Sequence, residues 1–171
     1  MTDTTGVVAE DWLVGAELAP DVEGDPLAPL YSGAADGLLV LPFCPACGLA
    51  LELEQRACDG CATTGADWRP VDPRGTVHSV TVVHRLQRGL VRARDPYPVA
   101  DIEMAGGHRL VLTSVEPLPH PPAIGDTVSI GFRRLGDVAV PAFHSTTQPG
   151  ETEDPHDRSR DAARAEANRG T

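Results

Sequence analysis

The stretch PFCPACGLALELEQRACDGCA, residues 42–62, contains every cysteine of the chain: Cys44, Cys47, Cys58 and Cys61. Their spacing is C-x2-C-x10-C-x2-C, two CxxC turns at the ends of a short hairpin. Each CxxC turn can aim two sulfurs at one point, and four thiolates complete a tetrahedral shell, so the pattern reads first as a structural Zn2+ site. A redox dithiol is the weaker reading, since a thioredoxin-like motif needs one CxxC at a helix start rather than two opposed pairs. An iron-bound or empty site also fits the spacing. A catalytic zinc would keep one position open for water, and here four cysteines fill the shell. Gly48 and Gly60 are the residues expected to take the unusual backbone angles of the knuckles.

A ribbon of about 30 residues buries too little apolar surface to fold alone, so the metal and a neighbouring domain must support it. From Arg74 onward the pattern is β. The runs at 75–86, 97–105, 108–116, 127–135 and 138–145 are rich in β-branched residues, with Gly106-Gly107 and Gly136-Asp137 as hairpin connections. Five short antiparallel strands in about 70 residues predict a small closed barrel of the OB-fold kind. The fold class is thus mainly β: an N-terminal helical segment, a zinc ribbon and a five-stranded OB-fold barrel. The expected division is an acidic arm over 1–25, a helical segment over 26–41, the ribbon over 42–70, the barrel over 71–145 and a disordered tail over 146–171. A short helix is expected around Leu27–Ala35, with Asp25 as its N-cap and Pro26 at its first position.

The second chemical feature is QRGLVRARDP (87–96), the longest connection between barrel strands. Arg85, Arg88, Arg92 and Arg94 crowd into ten positions there. In an OB fold the loop joining strands 1 and 2 borders the ligand face, so these guanidinium groups could neutralise phosphates of a nucleotide, of coenzyme A or of a nucleic acid. Surface charge runs are more often simply solvated. His78 and His84 share strand parity with Val80 and Val82, which would place them on one face, opposite Asp101 and Glu103 of the next strand. A partly buried, hydrogen-bonded histidine is the more ordinary use of such residues than a general base. No nucleophile elbow and no Gly-rich phosphate loop occurs.

The formal charge is −11, but it is unevenly spread. Residues 1–30 carry seven acidic and no basic side chains, whereas residues 31–150 carry twelve acidic against ten basic. All fourteen cations are arginine. The low pI therefore does not exclude an anionic ligand on the barrel. Single-strand nucleic-acid binders need aromatic platforms on the central strands, and here only Tyr97 is offered, so nucleic acid is disfavoured. No apolar run reaches the roughly 20 residues of a membrane span, and MTDTTGVVAEDW lacks the basic and apolar regions of a secretion signal; a cytoplasmic protein is expected. The acidic arm has one apolar island, Trp12-Leu13-Val14, whose side chains could dock a partner.

The order EDWL (10–13), GLLVLPFCPACG (37–48), CDGCATTGADWRPVDPRGTVHSVTVVHR (58–85), PYPVADIEMAGGHRLV (96–111) and IGDTVSIGFRRLGDVAVPAF (124–143) resembles the acyl-CoA-associated zinc-ribbon/OB-fold family, once known only as a domain of unknown function. Its most specific part is Trp68 followed by Gly75–Arg85. The resemblance implies a rubredoxin-like ribbon with Cys44, Cys47, Cys58 and Cys61 as zinc ligands, an OB barrel, and no catalytic residue. It implies a partner subunit of acyl-CoA enzymes, either thiolase-like condensing or aldol-cleaving enzymes or MaoC-type hydratases, seated near their CoA-thioester channel. A stand-alone CoA-binding protein acting through the arginine loop is the other class left open.

Overall fold

The computed structural model describes residues 9–84 and 89–145. Eight strands and one α-helix follow in chain order among the described residues: β1 (Ala9–Glu10), α1 (Ala28–Ala35), β2 (Val40–Phe43), β3 (Asp67–Pro70), β4 (Arg74–Val83), β5 (Tyr97–Met104), β6 (Arg109–Thr113), β7 (Thr127–Leu135) and β8 (Val138–Ser145). Strands β2 and β3 form a two-stranded antiparallel ladder that frames the cysteine segment. Strands β4 to β8 form the OB barrel: β4 pairs with β5 and β7, β5 with β6, and β7 with β8, all antiparallel. A parallel bridge between Ser114 and Phe143 brings the end of β6 to β8, which closes the sheet and covers its edges. The hairpin turns contain Gly107 at φ +92° and Gly136 at φ +61°, backbone angles that L side chains rarely adopt.

One apolar core serves helix, ribbon entry and barrel alike. Val77, Ala100, Ile102, Leu110, Val128, Ile130 and Phe143 come from the barrel strands, and Leu30 of α1 with Leu39 and Leu41 of the β2 approach join them. The alternation of β5, with Pro98, Ala100, Ile102 and Met104 buried, is the period-2 pattern of a strand whose one face meets the core. Gly75 is required by contact: a Cβ there would stand 2.5 Å from Cγ2 of Ile102. Strand β4 does not keep one parity. Val77 faces Ile102 and Ser79 faces Asp101, so His78 is the extra residue of a β-bulge. Gly75 and Val77 point inward before the bulge, and Val80 is packed on the core after it. The expectation that His78 shares a face with Val80 fails for that reason: its side chain is half-exposed, with Nδ1 3.6 Å from Glu103 Oε2. His84 is exposed beyond the end of the strand.

The helix begins later than its sequence suggests. Leu27, not Asp25, holds the N-cap position, and Pro29 rather than Pro26 falls in the first turn. Asp25 still serves the entry, accepting from Leu27 N–H through Oδ1 at 2.7 Å and from Ala28 N–H through its carbonyl at 3.0 Å. The described part of the acidic arm is built into the sheet, with β1 running parallel to β7. No helix among the described residues is long and apolar enough to cross a membrane.

Two consequences are measurable. Phe143 is fully buried where β6 closes on β8, so Phe143→Ala should lower the unfolding free energy by about 3–5 kcal/mol in urea titration. The Arg109 guanidinium hydrogen-bonds both oxygens of Asp101, 2.9 Å from Nε to Oδ1, and holds that carboxyl below its ordinary value of 3.8. A carboxyl depressed by folding stabilises above its unfolded pKa and loses that contribution as pH falls through the folded one. Asp101→Asn should therefore lower the melting temperature at pH 7, and the gap from wild type should close in melts run progressively below pH 4.

Candidate metal centre and the clasped arm

The cysteine segment folds as two copies of one small hairpin. In the first, Gly48 N–H donates to Cys44 O at 2.9 Å and Cys44 N–H to Leu49 O at 2.8 Å, inside a bridge between Phe43 and Ala50. In the second, Ala62 N–H donates to Cys58 O at 2.7 Å and Cys58 N–H to Thr63 O at 2.9 Å, inside a bridge between Ala57 and Thr64. Every offset is the same. The left-handed residue of the first knuckle is Gly48 at φ +74°, and its counterpart is Ala62 at +59°, the one non-glycine residue with positive φ among the described residues. The unusual angle expected at Gly60 therefore belongs to Ala62, because the knuckle places it four residues after the leading cysteine.

The two hairpins bring Cys44, Cys47, Cys58 and Cys61 together, with all four Sγ atoms within 4.8 Å of one another. Cys44 and Cys58 are buried and Cys47 and Cys61 exposed. Sulfur separations of 3.5 Å for Cys44–Cys61 and 3.6 Å for Cys47–Cys58 are far too long for a disulfide. They approach the edge of about 3.8 Å that a tetrahedron of 2.3 Å metal–sulfur bonds requires. The sulfurs cannot all ionise unaided. The Cys47 backbone N–H, assisted by neighbouring donors, pulls Cys44 down to about 6. Although the Leu49 N–H favours its thiolate, the three neighbouring sulfurs push Cys47 up to about 12. A cation among them is what four close thiolates need, so the donor set fits a metal ion.

Sequence reasoning missed what joins this ribbon to the barrel. His108, buried on the β5–β6 hairpin, contacts the Pro42 carbonyl through Nε2 at 2.8 Å. A carbonyl only accepts, so Nε2 carries the proton. The imidazole meets the Phe43 ring edge to face at 4.7 Å, and the Arg69 guanidinium covers Phe43 at 5.2 Å. Trp68, the tryptophan that follows the second knuckle in sequence, lies opposite Pro42 in the β2–β3 ladder and packs on the main core. Nothing in the sequence singles out His108, because its partner is a backbone oxygen 66 residues away.

The arm is fastened by charges. Asp11 is 6 % exposed; its Oδ1 accepts from the N–H groups of Leu13 and Val14, each at 2.8 Å, and its Oδ2 lies 3.4 Å from Arg133 Nε. Arg133, 5 % exposed, donates through Nη2 to Thr113 Oγ1 at 2.6 Å and stands 5.6 Å from the Trp12 ring centre. Burial pulls the Arg133 guanidinium down, and Asp11 opposes that. Glu10 pairs with Arg134 beside it. Trp12 donates its indole N–H to Ser114 O at 3.1 Å and meets Tyr97 edge to face at 6.2 Å. The docking trio is therefore largely spent on the chain itself: Leu13 is buried, Trp12 and Val14 are half-buried, and Val14 bridges Val91.

The same contacts position the arginine loop. Arg92 N–H donates to Leu13 O at 2.7 Å, which ties the loop to the arm and leaves the side chains of Arg92 and Arg94 exposed. Arg85 and Arg88 lie outside the described residues.

A two-knuckle cysteine ribbon bolted to a closed five-stranded barrel defines a zinc-ribbon/OB-fold protein. Residues 68–133 match the family described as ChsH2, C-terminal OB-fold domain. A solved structure titled "Ltp2-ChsH2(DUF35) aldolase" is similar at 25% identity and a TM-score of 0.61, over 71% of this chain and 94% of that one. No curated protein matches the chain. Residues 68–133 are thus an OB-fold domain of the ChsH2 C-terminal type, and the wider chain is similar in fold to that solved structure.

Replacing buried Cys58 by Ser leaves three sulfurs at the centre. Elemental analysis should find one metal ion per wild-type chain and almost none in Cys58→Ser, with the variant's melting temperature falling to that of chelator-treated wild type.

Proposed function

We propose that this chain is a non-catalytic partner subunit of a thiolase-like enzyme that condenses or cleaves acyl-CoA thioesters. The observation that supports it most directly is the likeness to a chain in a structure whose title joins ChsH2 to Ltp2 as an aldolase, along nearly the whole of that chain. The engagement of polar groups within the fold agrees with such a role. Asp101 is held by Arg109, the Ser114 hydroxyl donates to Glu116 O at 2.6 Å, and His108 is taken up by the Pro42 carbonyl. Each is used to build the scaffold rather than aimed together at one point.

In this reading the metal is a structural Zn2+ held by Cys44, Cys47, Cys58 and Cys61, which keeps the ribbon rigid as a docking platform. The partner supplies the nucleophile and base, and a cytoplasmic location accompanies acyl-CoA chemistry. The arginine loop would face the partner's CoA channel, where Arg92 and Arg94, with Arg85 and Arg88, could pair with CoA phosphates. A MaoC-type hydratase is the alternative client implied by the sequence resemblance.

Co-expression decides between these clients. The chain should co-purify with a thiolase-like enzyme from its own genome, and that enzyme expressed alone should lose most of its soluble yield or turnover. Full activity of the enzyme alone, exclusive capture of a hydratase, or thioester turnover by this chain in isolation would each overturn the reading.

A further inference from the structure

The cysteine centre is open to attack from solvent. Cys47 and Cys61 are exposed and Cys44 and Cys58 buried, so each knuckle holds one sulfur of each kind. Four cysteines allow three disulfide connectivities, and the geometry singles out one. Cys44 Sγ stands 3.5 Å from Cys61 Sγ and Cys47 Sγ 3.6 Å from Cys58 Sγ, so each exposed sulfur faces the buried sulfur of the other knuckle. Pairing Cys44 with Cys47 and Cys58 with Cys61 would leave the two hairpins untied. Pairing Cys44 with Cys58 would join the two buried sulfurs and leave the two exposed ones to each other. A disulfide near 2.05 Å asks each facing pair to close by about 1.5 Å. Gly60 gives access to one of these pairs. It is exposed and is not among the residues of positive φ, so its backbone does not require glycine. A Cβ there would lie 3.7 Å from Cys58 Sγ and 4.0 Å from Cys47 Sγ, and its absence leaves room for a small oxidant beside them.

We propose that the four cysteines form a peroxide-sensitive switch: oxidation makes the Cys44–Cys61 and Cys47–Cys58 disulfides and frees the metal ion, and thiol reduction restores the site. An exposed thiolate attacks one oxygen of hydrogen peroxide, the O–O bond breaks, and the departing hydroxide takes a proton to become water. The buried sulfur facing it then displaces the sulfenic oxygen, which forms the S–S bond and releases a second water. Each pair gives two electrons to one peroxide, so two peroxides convert the centre. The ion's own charge is unchanged, and with the thiolates gone nothing holds it. The new bonds join residues 17 and 11 positions apart and tie one hairpin to the other, as the metal does. The backbone bonds Cys44 N–H to Leu49 O and Cys58 N–H to Thr63 O stay in place. The ribbon thus keeps its form while its thiolate charge disappears. This inference rests on the metal reading above and not on which enzyme the chain accompanies.

The metal content of the purified full chain, measured first, tests the metal reading by itself; a chain without metal sinks that reading, and the sulfur connectivity still decides this one. The chain is then exposed to submillimolar hydrogen peroxide, its remaining thiols are blocked, and its peptides are mapped by mass spectrometry. Loss of all four thiols in step with release of the ion, the two cross-knuckle disulfides, and recovery of thiols and metal binding after dithiothreitol are expected. The oxidised chain should melt above the reduced, chelator-treated one. Gly60→Leu should hold metal as the wild type does and lose thiols about fivefold more slowly, with Gly60→Ala between the two. Disulfides within the knuckles or between chains, sulfinic or sulfonic acids in place of disulfides, thiols that survive the peroxide, or rates unmoved by both Gly60 variants would each overturn it.

Discussion

Four sulfurs in a space less than 5 Å across are the constraint from which the N-terminal half takes its shape. Between β2 and β3 the chain makes no ladder longer than a single bridge, and its own apolar cluster is Leu51 with the two buried cysteines. So little buried surface cannot offset the conformational entropy of some two dozen ordered residues. Binding a metal ion to four thiolates is worth on the order of 10–16 kcal/mol, enough to decide whether this stretch is folded. The duplicated knuckles follow: two hairpins with the same hydrogen-bond offsets are the economical way to present two sulfurs each toward a common centre.

The charge distribution separates the sequence into unlike halves. Over residues 9–72 the sequence has twelve acidic side chains against two arginines, while residues 73–145 have six against eight. Four thiolates outweigh a divalent or trivalent metal ion, so a loaded centre would add further negative charge to the first of these. Folding brings the two together, because the arm that carries six of those acids docks on the barrel and sets Glu10 and Asp11 against Arg134 and Arg133. Lysine is absent, so the barrel's cations are all guanidinium groups able to engage carboxylates or phosphates through two parallel hydrogen bonds.

Much of this was legible beforehand, and the exceptions share a cause. The runs 127–135 and 138–145 became β7 and β8 residue for residue, because alternation of apolar side chains directly encodes a half-buried strand. The cysteine spacing likewise announced a common centre. What escaped were features set by partners distant in sequence. The bulge at His78 depends on register with β5, and alternation alone cannot register an inserted residue. The arm read as a surface segment with a sticky island because EDWL carries no trace of Arg133, the residue that makes Asp11 a buried anchor. The left-handed residue of the second knuckle is an alanine, so composition pointed to the nearby glycine instead.

The carbonyl oxygen of Pro42 accepts two hydrogen bonds, from Leu51 N–H at 3.1 Å within the ribbon and from His108 Nε2 across the domain boundary. Both lone pairs are thereby committed. One atom is common to the internal scaffold of the ribbon and to its attachment, so tilting one module against the other would forfeit bonding on both sides of the seam. Two modules joined in this way share their mechanical fate, and a load applied at the knuckles is delivered directly to the β5–β6 turn.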